Sequence, residues 1–312
     1  MLNRFAKFHA FCTFLLIIAG GLVTSTDSGL AVPDWPKSYG MWMPPMVGGV
    51  LFEHGHRMVA SFVGFQTIIL AIWLWRKEPR KWVRNLGVIA LLMVILQGVL
   101  GGITVLWFLP TPISVMHATL AQTFFCLSVS IAIFTSKWWK EAAAPVKVSG
   151  HPWRLFVATT AAVYGQLILG AWMRHSGAAL AIPTFPLAFG HLIPTLSTPE
   201  VIIHFSHRVG AVIVFAFICS TAGMILKRFS HIQELRNPAI LLLVLIAIQI
   251  LLGGYTVLTQ TAVPVATAHV AVGALILATC VTLTIRSFRI FDTRANVNNV
   301  TSSIQMTVRR TA

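Results

Sequence analysis

The chain has 312 residues, of which 56% are hydrophobic and only 10% are charged. Soluble domains carry about 25% charged residues, so this composition and a mean hydropathy of +0.80 exclude a soluble protein and also a disordered one. The net charge of +15 would suggest a nucleic-acid partner in a soluble protein, whereas in a membrane protein an excess of Lys and Arg reports orientation.

Eight apolar segments are long enough to cross a membrane, which takes about 20 residues. They are continuous apolar runs without strand-like alternation, so they predict helices and not barrel strands. We therefore predict an all-α integral membrane protein with eight transmembrane helices. In chain order they cover residues 8–26, 55–75, 85–107, 112–135, 155–174, 201–226, 238–258 and 264–286.

The basic residues are divided unequally between the two sides of these segments. Nineteen of the 23 Lys and Arg residues fall on the side that holds both termini. The positive-inside rule places that side in the cytoplasm. The sequence thus predicts a multi-pass protein of the cell membrane, with both termini cytoplasmic and no nucleic-acid partner. The basic residues of the outer side are Lys37, Arg57, Arg174 and Arg208.

The chain also contains an internal duplication. Residues 97–106 match 249–258, and Ser28-Gly29 is aligned with Ser176-Gly177. Each repeat holds four spans and keeps its orientation, which predicts two tandem four-helix bundles related by a pseudo-two-fold axis along the membrane normal. The predicted divisions are an N-terminal bundle (1–140), a cytoplasmic linker (141–154), a C-terminal bundle (155–290) and a disordered cytoplasmic tail (291–312).

Four histidines occupy duplicated positions in the outer half of the spans, namely His56, His117, His207 and His269. Ionisable groups within a membrane are costly and suggest function. Two histidines on different helices of one bundle suggest bis-imidazole ligation of a haem iron. A zinc site is less favoured because further Cys or His ligands are missing at matched positions. The structural alternative is a set of histidines hydrogen-bonded between helices; His54, His175 and His191 have no assigned role.

Two further features accompany the histidines. Arg57 and Arg208 directly follow His56 and His207, and a guanidinium suits the carboxylate of a haem propionate, although either arginine could simply reach for the outer surface. The glycine pairs 101–102 and 253–254 end two of the predicted spans. They permit either close helix packing or the approach of a flat macrocycle to the backbone.

One position breaks the symmetry of the repeats. Glu53 lies three residues before His56 and so shares a helix face with it, whereas the matching position before His207 is His204. A carboxylate beside one site only predicts a proton acceptor or a stabiliser of cationic charge there. The first half is therefore predicted to carry out the chemistry and the second to hold a permanent haem.

Several of these features together resemble the haem A synthase family. They are the stretch 20–24, Glu53 with His56-Arg57, the Leu-Gly-Gly segments, His207-Arg208, and the histidines 117 and 269. The resemblance implies an oxidoreductase that converts a methyl group of haem O to a formyl group by successive hydroxylation, supplying haem A to terminal oxidases. It implies that His207 and His269 ligate a cofactor haem b. It also implies that His56 and His117 flank the substrate haem O, with Glu53 as the essential acid.

Many bacterial members of this family carry cysteine pairs in the outer loops after the first and fifth helices. This sequence departs from them, because the corresponding residues 30–46 and 178–198 contain no cysteine. The expected partners are haem O, an electron acceptor of unknown identity, membrane lipid, haem O synthase as the donor of substrate, and a second copy of the chain.

A bis-histidine cytochrome b that only carries electrons explains the four histidines equally well, but it does not need Glu53. A transporter with parallel repeats would instead place charged groups at mid-membrane depth.

Overall fold

The computed structural model describes residues 1–142, 145, 146, 148 and 150–291. This part of the chain is helical and contains isolated β-bridges but no strand. A single 3₁₀ turn covers Ala178–Leu180. The α-helices are α1 (Leu2–Ser25), α2 (Gly49–Lys77), α3 (Lys81–Leu106), α4 (Thr111–Phe134), α5 (Lys137–Glu141), α6 (Trp153–His175), α7 (Pro199–Arg228), α8 (Gln233–Leu258) and α9 (Val263–Ile290).

Within the described residues, eight of these helices are long and apolar enough to span a membrane, which confirms the predicted number of spans. The predicted boundaries differ most at the starts of α1 and α2, which begin at Leu2 and Gly49 and not at residues 8 and 55. As a result Glu53 lies inside α2, and His56 lies about two turns from its start instead of opening it. His207 lies at a similar depth in α7, so the two histidines occupy equivalent places.

The helices contact one another in two closed sets. The first set is α1, α2, α3 and α4, each packed against its chain neighbour, with α4 returning to α1. The second set is α6, α7, α8 and α9, closed in the same way by α6 and α9. The two sets meet where α1 contacts α9 and α4 contacts both α6 and α9. This packing is consistent with tandem bundles; the pseudo-two-fold axis and the domain boundaries remain predictions.

Local sequence signals account for several helix ends. Prolines stand in the first turn of α4, α7 and α9, where a missing backbone N–H costs nothing because it would have no partner within the helix. The Thr198 side chain caps α7 by accepting a hydrogen bond from the Val201 N–H. The predicted tail lies outside the described residues except for Phe291, which is buried against Phe156 and Phe229.

The loops after α1 and α6 have matching shapes, and they correct the sequence alignment. Thr26 and Ser176 both cap the preceding helix, and the next residue of each loop, Asp27 or Gly177, has a positive φ of 50° or 75°. The structural partner of Ser176-Gly177 is therefore Thr26-Asp27, not Ser28-Gly29. In this register the cis peptide bonds Trp35-Pro36 and Phe185-Pro186 also coincide.

Candidate functional site

Each of the four predicted haem ligands has its imidazole ring packed against a glycine of the adjacent helix. A Cβ atom added to any of these glycines would come within 2.9 to 3.2 Å of the ring Cε1 atom, closer than ordinary van der Waals contact. The backbone of the neighbouring helix thus forms one wall of every histidine site. The pairs are Gly20 with His56, Gly101 with His117, Gly170 with His207, and Gly253 with His269.

The glycine pairs at the ends of α3 and α8 serve two different rings. The first glycine of each pair faces a histidine, as above, while the second faces an aromatic residue of an outer loop. A Cβ on Gly102 would lie 2.8 Å from the Trp35 ring, and one on Gly254 would lie 2.6 Å from the Phe185 ring. In both halves an aromatic ring of the outer loop therefore packs against the glycine that follows the one in contact with the histidine.

Three of the four histidines also contact a glutamine. The Nε2 atoms of Gln97 and His117 are 3.4 Å apart, and the corresponding distance from Gln249 to His269 is also 3.4 Å. In the second half, Gln166 Nε2 lies 3.0 Å from Nδ1 of His207 and donates to its backbone carbonyl at 2.7 Å.

The chemistry of these imidazoles fits ligation of an iron. The four histidines lie within apolar spans, and Nδ1 of His56, His117 and His269 is buried without a hydrogen-bond partner. The contact with Gln166 involves Nδ1 of His207 and leaves its Nε2 for a ligand.

Glu53 is held in the first half by two strong contacts. Its side chain is buried, and Oε1 lies 2.5 Å from Arg57 Nη2, one helical turn along α2. The other oxygen, Oε2, accepts a hydrogen bond of 2.8 Å from the backbone N–H of Val32. Hydrogen bonds of this kind favour the ionised form of a carboxylate, and here they hold both oxygens of Glu53 in place beside the His56 helix face.

Arg57 is engaged by the outer loop as well as by Glu53. Its Nη1 donates to the carbonyls of Asp34 and Lys37, each at 2.9 Å, and reaches Ser38 Oγ at 3.4 Å. The loop itself is braced by Asp34, which accepts from the Tyr39 and Gly40 amides. The pKa of the exposed Asp34 carboxyl is lowered, chiefly by the hydrogen bond from the Gly40 amide. The amides of Tyr39 and of Asp34 itself and the nearby charge of Arg57 lower it further.

The second half repeats this architecture without the acid. His204 takes the place of Glu53, and its Nδ1 lies 3.3 Å from the N–H of Ile182, the residue that matches Val32. Arg208 donates to the carbonyls of Ile182 and Thr184 at 3.0 and 2.7 Å, but its Nη1 is buried without a partner. Arg208 thus keeps a donor free for an anionic group, whereas Arg57 already has a carboxylate partner.

Comparison with known proteins identifies the family. The sequence model of the COX15-CtaA family, described as "Cytochrome oxidase assembly protein", matches residues 3–49 and 48–281. The chain belongs to this family. A protein of Alkalihalophilus pseudofirmus named heme A synthase is 31% identical over 260 residues, covering 82% of this chain and 86% of that protein. The heme A synthase of Halalkalibacterium halodurans is 30% identical over 275 residues, or 85% and 90% of the two chains.

Sequence reasoning missed two contacts at the sites of this family member. Gln166 was not singled out because it has no polar counterpart in the first repeat. It lies four residues before Gly170, and the residue four positions before Gly20 in α1 is Leu16. The second is the pair formed by Ser38 Oγ and His54 Nδ1, 2.8 Å apart. The repeat offset and the loop alignment together could have shown that Ser38 and His54 have polar character only in the first half and Gln166 only in the second.

Proposed function

We propose that this chain is a haem A synthase, an oxidoreductase that converts a methyl group of haem O to a formyl group by successive hydroxylation. Relatives with that name match more than four-fifths of the chain. The observation that carries the proposal within the site is the asymmetry of the repeat. Both halves offer a pair of half-buried histidines, but only the first adds a buried carboxylate, Glu53.

In the second half, His207 and His269 would hold a resident haem b as ligands of its iron. The haem supplies redox chemistry when it is bound. The part of the chain is to fix the two imidazoles, His207 through Gly170 and Gln166, and to offer the free Nη1 of Arg208 to a propionate. His204, which stands where the first half has Glu53, cannot carry a carboxylate charge and so places no anion beside this haem.

In the first half, His56 and His117 would bind the substrate haem O. With water as the source of oxygen, each hydroxylation replaces a C–H bond of the methyl group with a C–O bond and releases protons and electrons, the electrons passing to the acceptor. Glu53 would accept a proton at a carboxylate oxygen. Arg57 and the Val32 amide hold that carboxylate in place before the reaction, so no reorganisation is required of it. Because Arg57 is engaged by Glu53 and the loop, we assign propionate binding to it more weakly than to Arg208.

The setting follows from the eight spans. The protein would sit in the cell membrane with both termini in the cytoplasm, since the basic residues concentrate on that side. The sites then lie toward the outer face. Haem O would arrive from the haem O synthase of the same membrane, and electrons would leave to an acceptor. A homo-oligomer is compatible with this arrangement.

The test is conversion of haem O by the purified protein. The protein in detergent, or in a membrane with an electron acceptor, is incubated with haem O, and the extracted pigments are identified by mass. We expect hydroxylated and formylated haem with the native chain and none with Glu53→Gln, which should keep its bound haem. A haem-loaded protein that never alters haem O would favour the cytochrome b alternative, and equal turnover by Glu53→Gln would remove the acid from the mechanism.

A further inference from the structure

The outer loop of the first half is fastened to α2 by a polar contact that the second half does not have. Ser38 Oγ and His54 Nδ1 are 2.8 Å apart, and both residues are buried. In the duplicated register their places are taken by Ala188 and Phe205, which belong to an apolar cluster beneath the second loop. At this pair of positions the loop is therefore secured by apolar packing in the second half and by a hydrogen bond in the first.

His54 is a poor choice if its task is only to hold the loop. Its Nε2 atom is buried and has no hydrogen-bond partner, and an unpartnered buried polar atom costs free energy. A phenylalanine avoids that cost, and Phe205 shows that an aromatic ring suits the matching position. The presence of histidine thus indicates a role that an apolar ring does not supply.

The hydrogen bonds around His54 lead to Glu53. Ser38, held by His54, lies 3.4 Å from Nη1 of Arg57, and the two carbonyls that also accept from Nη1 belong to the same loop segment, 34–38. The other terminal nitrogen of Arg57 contacts Glu53. A connected path therefore runs from His54 through Ser38 and Arg57 to the carboxylate.

We propose that Ser38 and His54 are positioning residues of the Glu53 site, which fasten the loop so that Arg57 fixes the carboxylate orientation. The inference rests on the proposed function, because it assumes that Glu53 acts on the substrate. His54 does not itself face the haem: at 3.6 residues per turn it lies about 160° around α2 from His56, while Glu53 lies about 60° from His56. Its influence on the reaction is therefore indirect.

The experiment replaces each residue with its counterpart from the second half, Ser38→Ala and His54→Phe, in the full-length protein. We expect turnover (kcat) with haem O to fall about tenfold for each, with KM and haem content unchanged, because neither residue touches substrate. The double variant should also fall about tenfold, not a hundredfold, because the residues act as one unit. His54→Asn and Ser38→Thr, which keep a hydrogen-bonding atom, should recover most of the activity.

Two controls make the result decisive. Met43→Ala, at an exposed position of the same loop, should leave kcat unchanged and show that the loop tolerates truncation. A native kcat for His54→Phe, or a hundredfold loss in the double variant, would overturn the positioning role. Turnover by Glu53→Gln equal to that of the native chain would instead overturn the proposed function, so the two failures are distinguishable. Loss of haem from His54→Phe would mean a structural role and also contradict the inference.

Discussion

The contact between Gly170 and His207 allows a sharp test of the histidine sites. In Gly170→Ala the new methyl carbon would lie 2.9 Å from Cε1 of the His207 ring, whereas carbon atoms rest about 3.5 to 4.0 Å apart. The ring or the helix must therefore move by about 0.6 Å or more. Gln166 holds the same imidazole from another side, with 3.0 Å between its Nε2 and the ring Nδ1, which limits how the ring can yield.

The size of the effect follows from competing terms. Overpacking costs about 1–3 kcal/mol, while replacing glycine with alanine inside a helix contributes about 1 kcal/mol of stability. The net change in folding free energy should be small. Metal–ligand distances, however, tolerate only about 0.2 Å of deviation, so displacement of His207 should weaken haem binding about 10- to 100-fold, an effect typical of perturbed ligand positioning.

The assay measures haem per protein by absorbance after purification and a dilution chase, together with thermal unfolding in detergent. Gly165→Ala is the matched control, because it lies on the same helix and its Cβ would meet no atom within 4 Å. We expect Gly165→Ala to keep its haem and Gly170→Ala to lose it during the chase. Equal haem retention by both variants would refute the reasoning that His207 is a ligand positioned by Gly170.

Three further outcomes are expected. Gly102→Ala would bring a methyl group within 2.8 Å of the Trp35 ring. An overpacking cost of about 3 kcal/mol, less about 1 kcal/mol gained by alanine inside a helix, should destabilise the protein by about 2 kcal/mol; an unchanged unfolding temperature would contradict this. Gln249→Leu should leave stability intact but speed haem loss, measured by the same dilution chase; native retention would show that this glutamine does not support the site. Glu78→Gln should destabilise by about 2 kcal/mol at neutral pH, because Arg80, chiefly by its hydrogen bonds, lowers the pKa of the Glu78 carboxyl. A carboxyl whose pKa is lowered in the folded protein stabilises the fold at pH values above its ordinary pKa of 4.5, and this stabilisation is lost as the pH falls below that value. The unfolding curves of the native protein and the variant should therefore converge in acid. A stability difference that persists in acid would contradict a stabilising ion pair between Glu78 and Arg80.

The large features of the molecule could be predicted because they follow from the membrane itself. A span must be long, apolar and helical to satisfy its backbone in lipid, and this made the number of membrane spans predictable. The duplicated histidines stood out against that apolar background, and Glu53 stood out against the repeat. The start of α2 was harder, since residues 49–54 are a mixture of glycine, apolar and charged residues that extend a helix beyond the hydrophobic core.

The finer contacts depend on how loops return to the helices. The contact of Ser38 with His54 joins a loop to α2, and no periodicity relates the two positions. The glycine pair at 101–102 left helix packing and macrocycle contact equally open, and the structure shows its two members facing His117 and the Trp35 ring. Gln166 lies within an otherwise apolar helix face, where only the position of the His207 ring gives it a purpose.

The division of labour between the two histidine pairs is the central claim, and haem content measured beside turnover in four alanine variants tests it most directly. We predict that His207→Ala and His269→Ala lose the stable haem absorbance of the purified protein. We predict that His56→Ala and His117→Ala keep that absorbance and lose conversion of haem O. Retention of the native absorbance by the first two variants, or its loss in the second two, would contradict the assignment of haem b to the second half.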